Sequence, residues 1–344
     1  MPATIRDVAE RAGVGLGTVS RVLNNNPNVS PATRERVQQV IDELGFTPSA
    51  TARRLSTGKT QVIVIVVPFF TRPSAVERLR AIEVGLAESG YALQVYNVET
   101  AEHRARVFRQ ITQPNHADAA FIVSLTPTTD EILCLKATPM QVVLLDCQHP
   151  DLTSIYEDSF AGGRLATHHL LDLGHRRIAF VGDTFEQPLG FSSSRKRYQG
   201  YLQAYTDAGL TPDPDLCMLG PHGIEPARQL THDLLNHPNP PTAIFAASDT
   251  QALGVRAAAL ELGYTIPDHL SLIGYDDVEI ARHLGLTTVR QGLYHSGERA
   301  VALMNSRLAA PTAPPTHEIL PVELIVRATT SPLVASKKTP TAKK

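Results

Sequence analysis

Thr4-Ile5-Arg6-Asp7-Val8-Ala9-Glu10-Arg11-Ala12-Gly13-Val14-Gly15-Leu16-Gly17-Thr18-Val19-Ser20-Arg21-Val22-Leu23-Asn24 is the stretch on which the reading of this chain turns. Ile5, Val8, Ala9 and Ala12 recur at helical spacing, with Arg6, Asp7, Glu10 and Arg11 on the other face. Thr4 suits an N-cap and Asp7 places an acid in the first turn. Gly13 stops that helix. A second short helix runs over residues 16–24 with Val19, Val22 and Leu23 inward. Asn24-Asn25-Asn26-Pro27-Asn28 is a loop. Ser30 then caps a third helix whose first residue is Pro31. Val37, Val40, Ile41 and Leu44 form its core face, and Gly45 ends it. Two short helices joined by a tight turn and buttressed by a third make a helix-turn-helix head. Its second helix would present Leu16, Gly17, Ser20 and Arg21 to base edges. On spacing alone, a small helical subdomain with no nucleic-acid role is the plain alternative. Gly13-Val14-Gly15-Leu16-Gly17 imitates a dinucleotide-binding loop, but no strand precedes it and it lies between two helices.

Charge is distributed to match a binding head. The 344 residues carry a formal net charge of −2, which alone argues against a polyanion partner. Residues 1–60 hold eight Lys and Arg against five Asp and Glu, a surplus of +3. Residues 331–344 add +4, so the stretch between carries −9. One part of the chain is built to meet phosphate and the other is not.

The head closely resembles that of the lactose/galactose-repressor (LacI/GalR) family of transcription regulators. The resemblance rests on Asp7-Val8-Ala9, Ala12-Gly13-Val14 and Thr18-Val19-Ser20-Arg21-Val22-Leu23-Asn24. Val29-Ser30, Thr33-Arg34, Leu44-Gly45-Phe46, Pro48, Ala52 and Leu55 continue it in order. It implies operator DNA as a partner. Arg21 is then the candidate for bidentate contact to guanine, and Leu16 for a thymine methyl. Arg6, Thr18, Asn28, Ser30 and Arg34 would hold phosphates, which sets register. Gly15 stands where relatives open the recognition helix with Ser, so one cap bond is absent. Gly17 offers no side chain to a base. Residues 48–60 would be a hinge helix, ordered when paired with its twin on DNA. Leu55 would wedge into the minor groove, with Arg53 and Arg54 facing phosphate. A solvated basic linker is the other reading of those two arginines.

From residue 61 strands alternate with helices. The run 62–67 is a continuous β-branched stretch, as in a buried parallel strand. Strands are expected at 93–98, 119–124, 142–146, 178–182, 217–219, 243–246 and 272–275. Helices are expected at 76–89, 102–111, 158–173, 194–208, 224–235 and 249–262. Such alternation means doubly wound α/β sheets, and some 270 residues of it imply two lobes. Ligands on such sheets sit beyond the carboxyl ends of strands. Phe69, Phe70, Thr71 and Arg72 follow the first strand. Asp146, Ser248, Asp249 and Asp276 follow later ones.

The resemblance continues through Ala161-Gly162-Gly163-Arg164, Leu173-Gly174-His175, Arg197-Tyr198-Gln199-Gly200, Ala247-Ser248-Asp249 and Ile273-Gly274-Tyr275-Asp276-Asp277. It implies an α/β fold: a small all-α head with a hinge helix, then a two-lobed body like a periplasmic sugar-binding protein. The expected divisions are 1–47 for the head, 48–60 for the hinge and 61–330 for effector binding and dimerisation. The N-lobe would take about 61–160 plus 292–320, the C-lobe about 161–291 plus 321–330. Crossovers would fall near 158–162, 288–292 and 320–323, and 331–344 would be a disordered tail. Arg197 and His222 join Phe69, Phe70, Arg72, Asp146, Ser248 and Asp276 as effector candidates. Carboxylates and Arg suit sugar hydroxyls, and aromatic faces suit the apolar side of a pyranose. Core packing is the other reading of Phe69 and Phe70, and helix capping or inter-lobe structure that of Asp249 and Asp276. Ser192-Ser193-Ser194 beside Arg195, Lys196 and Arg197 reads as an anion cradle or a plain loop. The implied partners are operator DNA, a small-molecule effector (a sugar or sugar derivative) and a second copy of the chain.

Other classes find little support. Three Cys with no CxxC pair suit neither a disulfide framework nor a zinc site, and fit a reducing cytoplasm. No signal peptide or membrane-spanning run is expected. The sequence has no HExxH, GxSxG or GxxxxGK[ST] motif. No catalytic residue, cofactor or metal is therefore expected. A solute receptor or an enzyme on the same scaffold remains the competing reading.

Overall fold

The computed structural model describes residues 3–23, 26–46, 59–186 and 188–333. It separates into two compact units, Met1–Gln61 and Val62–Lys344. The hinge proposed at 48–60 lies almost wholly outside the described residues, with Arg53, Arg54 and Leu55.

In the first unit α1 (Ile5–Ala12), α2 (Leu16–Leu23) and α3 (Pro31–Leu44) close around Val8, Ala9, Ala12, Val19, Val22, Val37, Val40 and Ile41. Polar residues punctuate the chain. The Thr4 backbone N–H donates to Asp7 Oδ2 at 2.7 Å while Asp7 N–H donates to Thr4 Oγ1 at 3.4 Å, a reciprocal capping box. Ser30 caps α3 by accepting from Thr33 N–H at 3.3 Å. Gly13 and Gly45 end α1 and α3 with φ of 63° and 58°, a conformation that disfavours side chains.

The second unit holds two six-stranded sheets. The N-lobe contains β1 (Val62–Pro68), α4 (Pro73–Leu86), β2 (Ala92–Val98), α5 (Ala101–Ile111), β3 (Ala119–Val123), α6 (Thr129–Lys136), β4 (Gln141–Leu145) and β5 (Thr153–Glu157). The C-lobe follows with α7 (Ser159–Asp172), β6 (Ile178–Asp183), α8 (Ser193–Asp207), a 3₁₀ turn, β7 (Cys217–Gly220), α9 (Ile224–Leu235), β8 (Ala243–Ala246), α10 (Asp249–Glu261), β9 (Ser271–Asp276), α11 (Glu279–His283) and β10 (Thr287–Arg290). The chain then returns to the N-lobe for α12 (Leu293–Ala309) and β11 (His317–Leu320), and crosses again for β12 (Glu323–Ile325). The orders are β11-β5-β4-β3-β1-β2 and β12-β10-β9-β8-β6-β7. All pairings are parallel except β10 with β12.

Strand periodicity explains the layering. Val62, Val64 and Val66 enter one N-lobe core cluster, while Ile63, Ile65 and Val67 enter the cluster on the opposite face. A strand buried on both faces must be apolar throughout, as β1 is. The sequence reading lacked α6, β5, α11, α12 and the closing strands. It also set the tail's start too early. Leu333 N–H donates to Leu173 O at 2.8 Å, and Ser331 O accepts from the His175 ring at 3.1 Å, so 331–333 belong to the C-lobe.

Candidate functional site

In the head, α2 buries only Val19 and Val22. Leu16 is 46% exposed, a large apolar side chain held in solvent at the start of the second helix. Gly15 and Gly17 have open space where a Cβ would stand. Arg6, Arg21, Asn28 and Ser30 are exposed; Thr18, Ser20 and Arg34 are partly buried. Arg34 already has structural work, donating to Asn26 O at 2.7 Å and Val22 O at 3.4 Å. It fastens the loop after α2 to α3. Ser30 is likewise engaged as a cap.

In the body, strand ends of both lobes face a cavity of about 80 Å³. Its lining includes Arg72, Asp146, Arg197, His222, Ser248 and Asp276, six of the eight expected effector residues. Phe69 and Phe70 are not among them. Phe69 packs against the N-lobe core and Phe70 is 43% exposed. Phe191 supplies the aromatic wall instead. Its ring centroid lies 6.2 Å from that of Phe69, and the Arg72 guanidinium sits 4.1 Å over the Phe69 ring. Phe69 thus acts behind Arg72, holding it at the cavity edge.

Arg197 is placed by glycines. A Cβ on Gly163 of α7 would lie 2.1 Å from the Arg197 carbonyl, and one on Gly200 of α8 would lie 2.1 Å from Phe160 O. The two helices touch backbone to backbone, which turns Arg197 inward. Its guanidinium stacks 3.7 Å from the Tyr275 ring centroid and donates to Ala247 O at 2.6 Å. Asp276 Oδ1 is 3.8 Å from Arg197 and accepts a short hydrogen bond from Gln291. Burial pushes the Asp276 carboxyl up to about 6, against the pull of Arg197 and Arg78. The Asp183 carboxylate accepts from Gln251 and pairs with the His222 ring, both at 3.0 Å. Ser248 caps α10 and belongs to the wall through Gln251. Asp249 is fully buried and spends both oxygens inside the C-lobe, on Val278 N–H at 3.0 Å and the Thr288 hydroxyl at 2.6 Å. Its structural reading is the one the geometry favours.

Sequence reasoning missed the centre of the N-lobe wall. Arg78 is 2% exposed and lies 2.5 Å from Glu157, 3.3 Å from Gln291 Oε1 and 3.4 Å from Asp146. Ser124 donates to Asp146 at 2.5 Å. Burial, reinforced by Asp146, pushes the Glu157 carboxyl up to about 8. A local signal existed for Arg78. It occupies an inward position of α4 with Ala75, Ala81 and Ile82, where a charge demands a partner. Asp183, at the end of β6, obeys the strand-end rule that located Asp146. Backbone strain marks the same rim: Phe69, Ser124, Asp146 and Asp276 all have positive φ, of 46°, 53°, 62° and 119°. The serine-rich stretch is the start of α8. Ser193, Ser194 and Arg197 line the cavity, while Arg195 turns away to Phe185 O at 2.9 Å.

Among the described residues no three His, Cys, Asp or Glu are grouped to hold a metal, and no helix is long and apolar enough to cross a membrane. Residues 4–49 match the family "Bacterial regulatory proteins, lacI family", and residues 167–330 match "Periplasmic binding protein-like domain". The HTH-type transcriptional repressor PurR of Mannheimia succiniciproducens is 33% identical over 94% of this chain and 98% of its own. The lac repressor dimer bound to operator and the anti-inducer ONPF is similar with a TM-score of 0.84 and 29% identity, covering 96% of this chain and 100% of that one. The transcriptional regulator CelR in complex with cellobiose is similar with a TM-score of 0.70 and 29% identity, covering 95% and 99%.

Proposed function

Because the chain belongs to the lacI family of bacterial regulatory proteins, we propose that it is a repressor that binds a pseudo-palindromic operator as a homodimer and is controlled by a small molecule held between its lobes. One observation carries the DNA reading: an α2 that buries two residues and leaves Leu16, Gly17 and Arg21 open to a groove. Two heads would read the operator halves while paired hinges, including Arg53, Arg54 and Leu55, bend its centre. Arg6, Thr18, Asn28, Ser30 and Arg34 would hold phosphates and set register, with Ser20 beside Arg21 facing base edges.

The effector reading is supported by a polar inter-lobe cavity with Arg72, Asp146, Arg197, His222, Ser248 and Asp276 in its walls. A sugar fits that mixture of carboxylates and guanidinium groups, and a sugar is what the similar CelR structure holds. By linkage, effector and operator must change each other's affinity by the same factor. The relatives are regulators rather than enzymes, and we assign this chain no catalytic residue, cofactor or metal. It would act in the cytoplasm, where operator DNA lies.

The test is a gel shift of the full chain on a library of palindromes against random DNA across a salt series. Selective retention is expected, with affinity falling steeply as salt rises. Equal affinity for every sequence at every salt would refute the repressor reading.

A further inference from the structure

Besides the covalent crossovers, a C-lobe segment reaches into the N-lobe. Residues 188–192 lie between β6 and α8, yet Leu189 packs in the N-lobe core cluster that includes Val107, Phe108 and Ile132 and is 3% exposed. Phe191 packs against the same cluster and beside Phe69. Gly190 between them has φ of 74°, a left-handed turn that glycine adopts without strain.

The receptor for this segment is built and charged. Arg104 of α5 is 6% exposed. It grips both Glu131 oxygens, at 2.8 and 2.6 Å, and Thr126 O at 2.8 Å, all within the N-lobe. Its remaining terminal nitrogen donates to Leu189 O at 2.7 Å. Glu131 is itself fixed by accepting from Thr128 N–H at the start of α6. A buried guanidinium with three anchors in one lobe thus spends its fourth contact on the backbone of the other.

We propose that residues 188–192 form a clasp that holds the inter-lobe cavity shut, with Leu189 as the inserted knob and Arg104 as the positioning residue that keeps it seated. The role rests on the reading of that cavity as the effector site. Lobe opening must withdraw Leu189 from an apolar core and break the Arg104 bond to its carbonyl, whereas the crossovers remain continuous in either state. The segment also carries Phe191 into the cavity wall, so clasp and wall move together. The clasp therefore biases the lobe equilibrium before any effector arrives.

The experiment measures inter-lobe distance without ligand. Spin labels are placed at Arg106→Cys in the N-lobe and Ala208→Cys in the C-lobe, both exposed positions, with exposed Cys134 changed to Ser. The full chain is expected to give a narrow distribution. Leu189→Asp should broaden and lengthen it, and Leu189→Met should restore it. Arg104→Lys keeps a charge beside Glu131 but loses the fork, and should raise the open fraction about tenfold, the cost of one charge-assisted bond. It serves as the second variant if Leu189→Asp does not melt cooperatively. A distribution unmoved by these changes in folded protein overturns the clasp. Failure of the effector-site reading looks different: D-ribose and cellobiose then leave the melting temperature of the unaltered chain unchanged, while the distance shift on Leu189→Asp persists.

Discussion

The two walls of the cavity share a topology and differ in how they are braced. The N-lobe wall is an ion network: Arg78 lies between Glu157 and Asp146, with Gln291 beside it. The C-lobe wall is propped by rings. Arg197 lies on Tyr275, behind which Phe180 packs on Phe245 and Tyr201 at 5.4 and 5.9 Å between centroids. Charges held by charges fail abruptly when one partner is removed, because the remainder is stranded in low dielectric. Charges held by aromatic faces lose a contact and keep their other bonds. The N-lobe wall should therefore be the structural half and the C-lobe wall the half free to meet a ligand.

The sharpest way to break that contrast is a pair of substitutions. Arg78→Leu is expected to cost about 3–5 kcal/mol of unfolding free energy, since it removes the buried cation that lies between Asp146 and Glu157 and leaves the two carboxyl groups facing each other. Asp276→Asn should cost much less stability and instead abolish effector response with operator binding retained. Chemical denaturation and gel shifts read both effects. Equal stability losses would mean that the two walls are braced alike.

A smaller effect comes from pH. Burial raises the Glu157 carboxyl to about 8 in the folded body, against 4.5 in its ordinary state. The folded chain keeps a proton there that the unfolded chain releases. Its contribution to stability is therefore greatest below pH 4.5, declines as pH rises from there to about 8, and is level above. Glu157→Gln should remove that decline from a melting series run across the window. A wild-type slope surviving in the variant would place the titration elsewhere.

The smallest expected effect lies in the head, whose stability should be independent of either wall. Gly15→Ser restores a side-chain cap at the start of α2, where a Cβ meets nothing within 4 Å. It should stabilise the head by a few tenths of a kcal/mol, visible in amide exchange of α2 and absent from the body.

These contrasts also show where sequence reasoning reaches. The head was legible because its rules are local: Thr4 with Asp7, Ser30 with Pro31, and glycines at 13 and 45. The strand-end rule placed Asp146, Ser248 and Asp276 because a parallel sheet aims all its carboxyl ends one way. It also drew in Phe70, which follows β1 but turns outward. Arg78 needed more than a rule. Its partners Glu157 and Gln291 stand 79 and 213 residues away, and no local period reports such a meeting. Phe191 and Leu189 escaped for a related reason, since their packing partners belong to the other lobe.

The thrice-crossing path has a consequence for biosynthesis. Ala300, Val301, Leu303 and Met304 of α12 cover one face of the N-lobe sheet, and β11 completes its edge. A chain leaving the ribosome from its amino end has translated β6 to β10 before those residues exist. Throughout that interval Val143, Leu145 and Ile155 of β4 and β5 lack that cover, an apolar surface open to chaperones or to a neighbouring nascent chain. The lobe begun first is the one that must wait to close.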